Sequence, residues 1–170
     1  MTHKLLIVAL ISTVSFASTA QKADFKKPIK IVAQKQETDL KNRIASYIGG
    51  VKISQGSLAI EADLVQVSNI KGTQQKKYLA KGKPAKFSQT LENGDKIELQ
   101  ANEISYSPTT STVVIRGNAK VSQEGSMVQG ETITYNLATE TLTADGATDG
   151  KGVVTTIIEP DEIEQEKQPN

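Results

Sequence analysis

Three polar side chains, Asp63, Asn102 and Glu131, recur beside a small residue in the phrases Ala62-Asp63-Leu64, Ala101-Asn102-Glu103 and Gly130-Glu131-Thr132. A glycosidase built on a β-solenoid would need two carboxylates facing one cleft, and recurring positions of this kind could supply them. The same residues suit a bend in the chain, so turn chemistry accounts for the recurrence more simply. The run Asp145-Gly146-Ala147-Thr148-Asp149-Gly150 has the composition of a calcium loop, but without alternating ligands and a closing bidentate Glu it reads as a plain turn. The chain has no Cys, and its one His is His3. Beyond the first twenty residues nothing remains for a serine or cysteine triad, a histidine general base or a zinc site of the usual kinds. There is no phosphate-cradling glycine loop either. No catalytic residue, metal ligand or cofactor is therefore assigned.

What could position a binding surface instead is set by length and composition. At 170 residues and 37% apolar content the chain has room for one globular domain or two small ones. No apolar run is long enough for a spanning helix. Charged residues at 23% and aromatics at 4% describe neither a disordered polyelectrolyte nor an aromatic-rich nucleic-acid binder, so no nucleic-acid partner is expected. Residues 1–20 read as an export signal: His3 and Lys4 begin it, Leu5 to Ile11 form its apolar run, and Ser18-Thr19-Ala20 offers the small residues that precede cleavage. An exported chain without Cys has no disulfide framework and must be held by a core or by a regular hydrogen-bonded ladder.

From Gln21 to Lys86 there are 14 Lys and Arg against 5 Asp and Glu, whereas Phe87 to Asn170 holds 5 against 14. The two halves are poles of opposite sign, able to attract an acidic ligand to one end and a second copy to the other.

Apolar residues alternate with polar ones at Ile29/Ile31/Ala33, Val51/Ile53, Leu58/Ile60/Ala62, Ile97/Leu99/Ala101, Val113/Ile115, Ala119/Val121 and Leu142/Ala144. Period two in short, β-branched runs predicts strands, and Asn93-Gly94, Ser107-Pro108, Asp145-Gly146 and Asp149-Gly150 punctuate them. A strand is expected to end in glycine at Gly49, Gly82, Gly117 and Gly146, and the phrases that follow the first three carry Lys52, Lys86 and Lys120 at intervals of 34 residues. Ser54-Gln55, Ser88-Gln89 and Ser122-Gln123 close those phrases.

Each repeat then continues with a slip in parity. The inward positions run 60, 62, then 65, 67; 99, 101, then 104, 106; and 128, 130, then 133, 135. A one-residue slip flips later side chains to the other face unless the backbone bulges, and Ala62, Ala101 and Gly130 leave space for that bend. The sheet is thus expected to fold round a continuous apolar interior, an all-β, open-ended jelly roll built from repeated strand units over residues 21–158. Half-units at Pro28–Ala33 and at residues 151–158 would leave unpaired edges, with Pro28, Ile29 and Ile31 on one and Val153, Val154, Thr155, Thr156, Ile157 and Ile158 on the other. Residues 159–170, rich in acids, read as a flexible tail. Ile29, Ile31, Val51, Ile53, Phe87, Leu99, Ile104, Tyr106, Val121, Ile133 and Tyr135 would line the interior, with core the simpler reading of each. A binding protein, a polysaccharide-active enzyme and a structural filament all remain open at this point.

Several phrases in order carry a resemblance: the signal, Lys27-Pro28-Ile29-Lys30-Ile31, Gly50-Val51-Lys52-Ile53-Ser54-Gln55-Gly56 leading to Ala62-Asp63, and Gly82-Lys83-Pro84-Ala85-Lys86-Phe87. Gly117-Asn118-Ala119, Gly130-Glu131-Thr132-Ile133-Thr134-Tyr135 and Val154-Thr155-Thr156 complete the series. Together they resemble the OstA-like family of periplasmic lipopolysaccharide-transport bridge proteins. The resemblance implies a periplasmic, twisted, open jelly roll that carries lipid A acyl chains in the groove the eleven interior residues from Ile29 to Tyr135 would line and performs no catalysis. It also implies head-to-tail stacking between LptC at the inner membrane and LptD at the outer membrane. Ile29, Ile31, Phe87 and Tyr106 match positions the family implicates in lipid contact, and Ser107-Pro108 stands where the pattern carries a more apolar pair. Lys26, Lys27, Lys30, Lys76, Lys77, Lys81 and Lys83 are the basic residues available to lipid A phosphates.

Overall fold

Alternating strands with a bend in the middle of each can satisfy every backbone group only by pairing with neighbours bent at the same height. A computed structural model describes residues 26–69, 72–73, 75–91, 93–147 and 152–158 and shows that arrangement. Its strands are β1 (Lys30–Val32), β2 (Lys35–Asp39), β3 (Ile44–Gln55), β4 (Leu58–Asn69), β5 (Lys76–Thr90), β6 (Lys96–Ser107), β7 (Thr112–Gln123), β8 (Ser126–Asn136), β9 (Thr141–Asp145) and β10 (Thr155–Ile157). A 3-10 turn at Pro108–Thr110 joins β6 to β7, and Ser111 closes it in the left-handed conformation. The strands make one antiparallel sheet in the order β1-β3-β4-β5-β6-β7-β8-β10, with β2 added to β3 and β9 to β8. Spatial order therefore follows chain order, and the basic half of the sequence becomes one end of the roll.

Register breaks across the sheet between Ile48 and Val51, Glu61 and Leu64, Lys81 and Ala85, Gln100 and Glu103, and Arg116 and Ala119. These aligned bulges form a corner that divides the sheet into two half-sheets of eight strand segments each. Val65, Ile104 and Ile133 return to the interior just beyond the corner, as the parity slip requires. The expectation that strands end at Gly49, Gly82 and Gly117 is corrected: β3, β5 and β7 run through these glycines, which occupy the bend. Gly117 has φ +75°, and a Cβ there would lie 2.9 Å from Asn102 Nδ2 on the neighbouring strand. Asp63, Asn102 and Glu131 are exposed at this corner, consistent with their turn chemistry.

The ends differ from the expected half-units. Each end carries two short edge segments, β1 and β2 at one and β9 and β10 at the other. β2 is a strand the alternation does not signal, because all five residues of Lys-Gln-Glu-Thr-Asp are exposed. The edges are also shorter than residues 28–33 and 153–158. Thr155 opposes Gln129 on β8, so Val154 would oppose Gly130 at the corner, where the ladder breaks and β9 takes over pairing at Thr132. Ile158 would oppose Ser126 beside the hairpin turn, and Pro28 has no N–H to give to a ladder. Pro28, Ile29, Val153, Val154 and Ile158 thus flank the edge strands rather than belong to them. The proposed signal at 1–20, the tail at 159–170 and Thr148-Asp149-Gly150 lie outside the described residues.

Candidate functional site

Between the half-sheets lies one apolar cluster. Val51, Ile53, Phe87, Leu99, Ile104, Tyr106, Val121, Ile133 and Tyr135, nine of the residues expected to line the interior, are at most 5% exposed within it. Ile29 and Ile31 are half-buried and pack against its edge. Phe87 and Tyr106 come from opposite half-sheets with ring centroids 6.5 Å apart, and Tyr78 joins Tyr106 at 5.9 Å. Such tilted contacts add to area burial, and the Phe87–Tyr106 contact ties the two walls together.

The edge opposite the corner, formed by the hairpin turns, is the lip of the roll. Leu91 and Leu137 turn inward there and are buried. The Tyr106 hydroxyl donates to Gln55 Oε1 at 3.1 Å, and Gln55 Nε2 donates to the Lys27 carbonyl at 3.0 Å, drawing the N-terminal segment to the lip. Burial raises the phenols of Tyr78, Tyr106 and Tyr135 above the ordinary tyrosine value, that of Tyr135 to about 12 with Glu140 nearby adding to the effect.

Both ends open into mouths in which apolar and polar residues mix. At the β1–β2 end a cavity of about 780 Å³ is lined by Ile29, Ile31, Tyr47, Val67 and Tyr78, with Arg43, Asp39 and Lys76 around it. At the β9–β10 end one of about 390 Å³ is lined by Leu91, Val121, Val128, Tyr135, Leu142 and Ile157. The exposed large apolar residues among those described, Val32, Leu40, Val153, Val154, Ile157 and Ile158, all belong to these two ends. Arg43 and Leu40 lie in the β2–β3 turn, where Asn42 donates to both carboxylate oxygens of Asp39 at 2.9 and 2.7 Å and lowers its pKa. No alternation marks that turn as part of a mouth. Of the lysines considered for phosphates, Lys76 reaches this mouth, whereas Lys81 lies 3.5 Å from Glu103. Among the described residues no cluster of His, Asp or Glu has the arrangement to hold a metal ion.

Known proteins share the pattern of this two-walled apolar interior. A family model described as "LptA/(LptD N-terminal domain) LPS transport protein" matches residues 30–141. The chain belongs to this family. It is 31% identical over 167 residues to the Lipopolysaccharide export system protein LptA of Haemophilus influenzae, covering 97% of this chain and 96% of that one. Identity to the protein of the same name in Escherichia coli K12 is 30% over 161 residues, 94% of this chain and 86% of the relative. The crystal structure of LptH, described as the LptA homologous periplasmic component of the conserved lipopolysaccharide transport device from Pseudomonas aeruginosa, superposes with a TM-score of 0.72 at 29% identity. That likeness covers 81% of this chain and 99% of LptH. The family is one of transport proteins, not enzymes, and the fold is its open β-jelly roll.

Proposed function

We propose that the protein carries lipopolysaccharide across the periplasm, exported by residues 1–20, holding lipid A acyl chains between its half-sheets and passing them along a head-to-tail stack. The observation that carries this reading is the pair of mouths, with the exposed large apolar side chains gathered at those same two ends. Every neighbouring pair in the sheet is antiparallel, so β1 and β10 run in opposite directions. Adding β10 of one copy to β1 of the next, and β9 to β2, keeps the alternation and joins one mouth to the other. LptC at the inner membrane and LptD at the outer membrane would offer compatible strands to the same edges. The interior residues from Val51 to Tyr135 form the chain path, reached when the half-sheets part at the lip, and Ile29 and Ile31 form its entrance. Arg43 and Lys76 stand where a glycolipid phosphate would meet that entrance.

The test is to incubate the purified protein with radiolabelled lipopolysaccharide and follow both retention and breakdown. Intact lipid retained on the protein is the expected result. Assembly without retention would overturn the carrier in favour of a filament, and breakdown that stops when a carboxylate pair is removed would overturn it in favour of an enzyme.

A further inference from the structure

The repeat places a glutamine at one fixed position. Gln55, Gln89 and Gln123 each stand last on the inward face before a hairpin turn of the first half-sheet, the one containing β1 and β10. Register links them through their neighbours, Gln55 opposite Leu58, Gln89 opposite Ile97, and Ile97 opposite Gln123. Across the lip the second half-sheet presents Tyr78, Tyr106 and Tyr135, of which Tyr78 opposes Tyr106 and Tyr135 opposes Val113. Gln55 is satisfied by Tyr106 and Lys27, and Gln123 Nε2 donates to Asp95 Oδ2 at 3.4 Å.

Gln89 differs. It is 1% exposed, yet neither Nε2 nor Oε1 has a partner, and the hydroxyl of Tyr135, a residue 2% exposed, has none either. Buried polar groups are almost always hydrogen-bonded, and each exception calls for a reason. The satisfied pair joins β3 to β6, three strands apart, and β5 and β8, which carry Gln89 and Tyr135, have the same separation. The unsatisfied groups therefore occupy the places of the next such pair.

We propose that Gln89 and Tyr135 form a polar subsite within the apolar groove that takes the hydroxyl or amide carried near the head of an acyl chain. The inference rests on the lipid-carrier reading. A carboxamide and a phenol offer donors and acceptors without charge, which suits a neutral hydroxyl, ester or amide and not a phosphate. Their height in the roll matches as well. On β5 the inward residues run Ala85, Phe87, Gln89 from corner to lip, and Leu91 closes the lip. A chain whose tail lies along Phe87 brings its first few carbons, where such groups are attached, to the glutamine row. In the closed roll these groups are left unpaired, so occupation relieves a cost that packing imposes.

The probes are a saturated fatty acid and its β-hydroxylated counterpart of equal length, with binding measured by calorimetry. The purified protein is expected to prefer the hydroxylated chain by roughly five- to tenfold, the yield of one well-placed hydrogen bond. Gln89→Met and Tyr135→Phe should each bring that preference close to one by weakening the hydroxylated chain more than the plain one. Gln89→Met should also raise the Tm, because it removes a buried amide without a partner. Equal affinity of the unmodified protein for both chains would overturn the subsite, as would variants that keep the preference or lose both affinities equally. If neither chain binds, the lipid groove itself fails and the subsite with it. Should Gln89→Met not fold, Tyr135→Phe, which deletes a single oxygen, decides the matter alone.

Discussion

At the scale of single residues, position along the roll separates binding from folding. Ile31 is half-buried at a mouth, whereas Phe87 is 1% exposed at the centre. Phe87→Ala is expected to lower stability by about 3–5 kcal/mol through lost transfer energy and a cavity, read from a denaturant melt. Ile31→Glu should leave the protein folded but weaken lipopolysaccharide retention, because a carboxylate in an apolar entrance is costly unless neutralised. Undiminished retention by folded Ile31→Glu protein would argue against a lipid path at that mouth. The tyrosines add a pH signature. Burial holds the Tyr135 phenol near 12 when folded, against an ordinary 10.0, so the neutral form is favoured by folding. Its contribution is present below pH 10 and is lost as pH rises towards 12. Stability should fall over that window alongside a rise in phenolate absorbance, and the fall should be shallower in Tyr135→Phe. The buried interior was legible from alternation together with the parity slip. The state of Gln89 was not: the Ser-Gln phrase shows that it recurs, but only the facing strands decide which glutamine finds a partner.

At the scale of elements, the corner explains why this sheet becomes a roll. A parity slip at the same place in three strands is visible in the sequence because small residues beside Asp63, Asn102 and Glu131 mark the bend, and the register breaks there. What the sequence hides is the continuity of the strands through the bend, since a glycine that ends a strand and one that bends it are written alike. Gly117→Ala tests the corner. Its left-handed backbone disfavours a Cβ by about 1–2 kcal/mol, and the new methyl would press on Asn102. Gly50 has φ +52° with open space around its Cβ position, and Asn tolerates that conformation. Chemical denaturation should therefore show a clear loss for Gly117→Ala and a smaller one for Gly50→Asn; equal losses would mean that contact at the corner is unimportant. β2 was invisible for a different reason. With five polar, exposed residues, it is held by its ladder to β3 from Ile44 to Ile48 and leaves no apolar signature.

At the scale of the whole molecule, the proposed stacking rests on the two ends. Edges at opposite ends of an open roll cannot pair within one copy, so in the proposed stack the contacts between copies would be heterologous and would propagate. Exposed ion pairs such as Lys52–Glu61, 3.5 Å apart, lie on the sheet surface and contribute little adhesion. Backbone hydrogen bonds between β10 and β1, together with Val32, Ile157 and their apolar neighbours, would hold the junction. Charge sets the approach. Because strand order follows chain order, the acidic half of one copy would face the basic half of the next in such a stack, an attraction screened beyond roughly 8 Å at physiological salt. Deleting residues 151–170 removes β10 with the acidic segment after it, and light scattering over a concentration series should show oligomers for the intact protein and a monomer for the truncation. Deleting residues 159–170 alone spares β10, so oligomers should persist while their dependence on salt flattens. Oligomers that survive the loss of β10 would sink the end-to-end arrangement, since no other described strand continues the first half-sheet at that end.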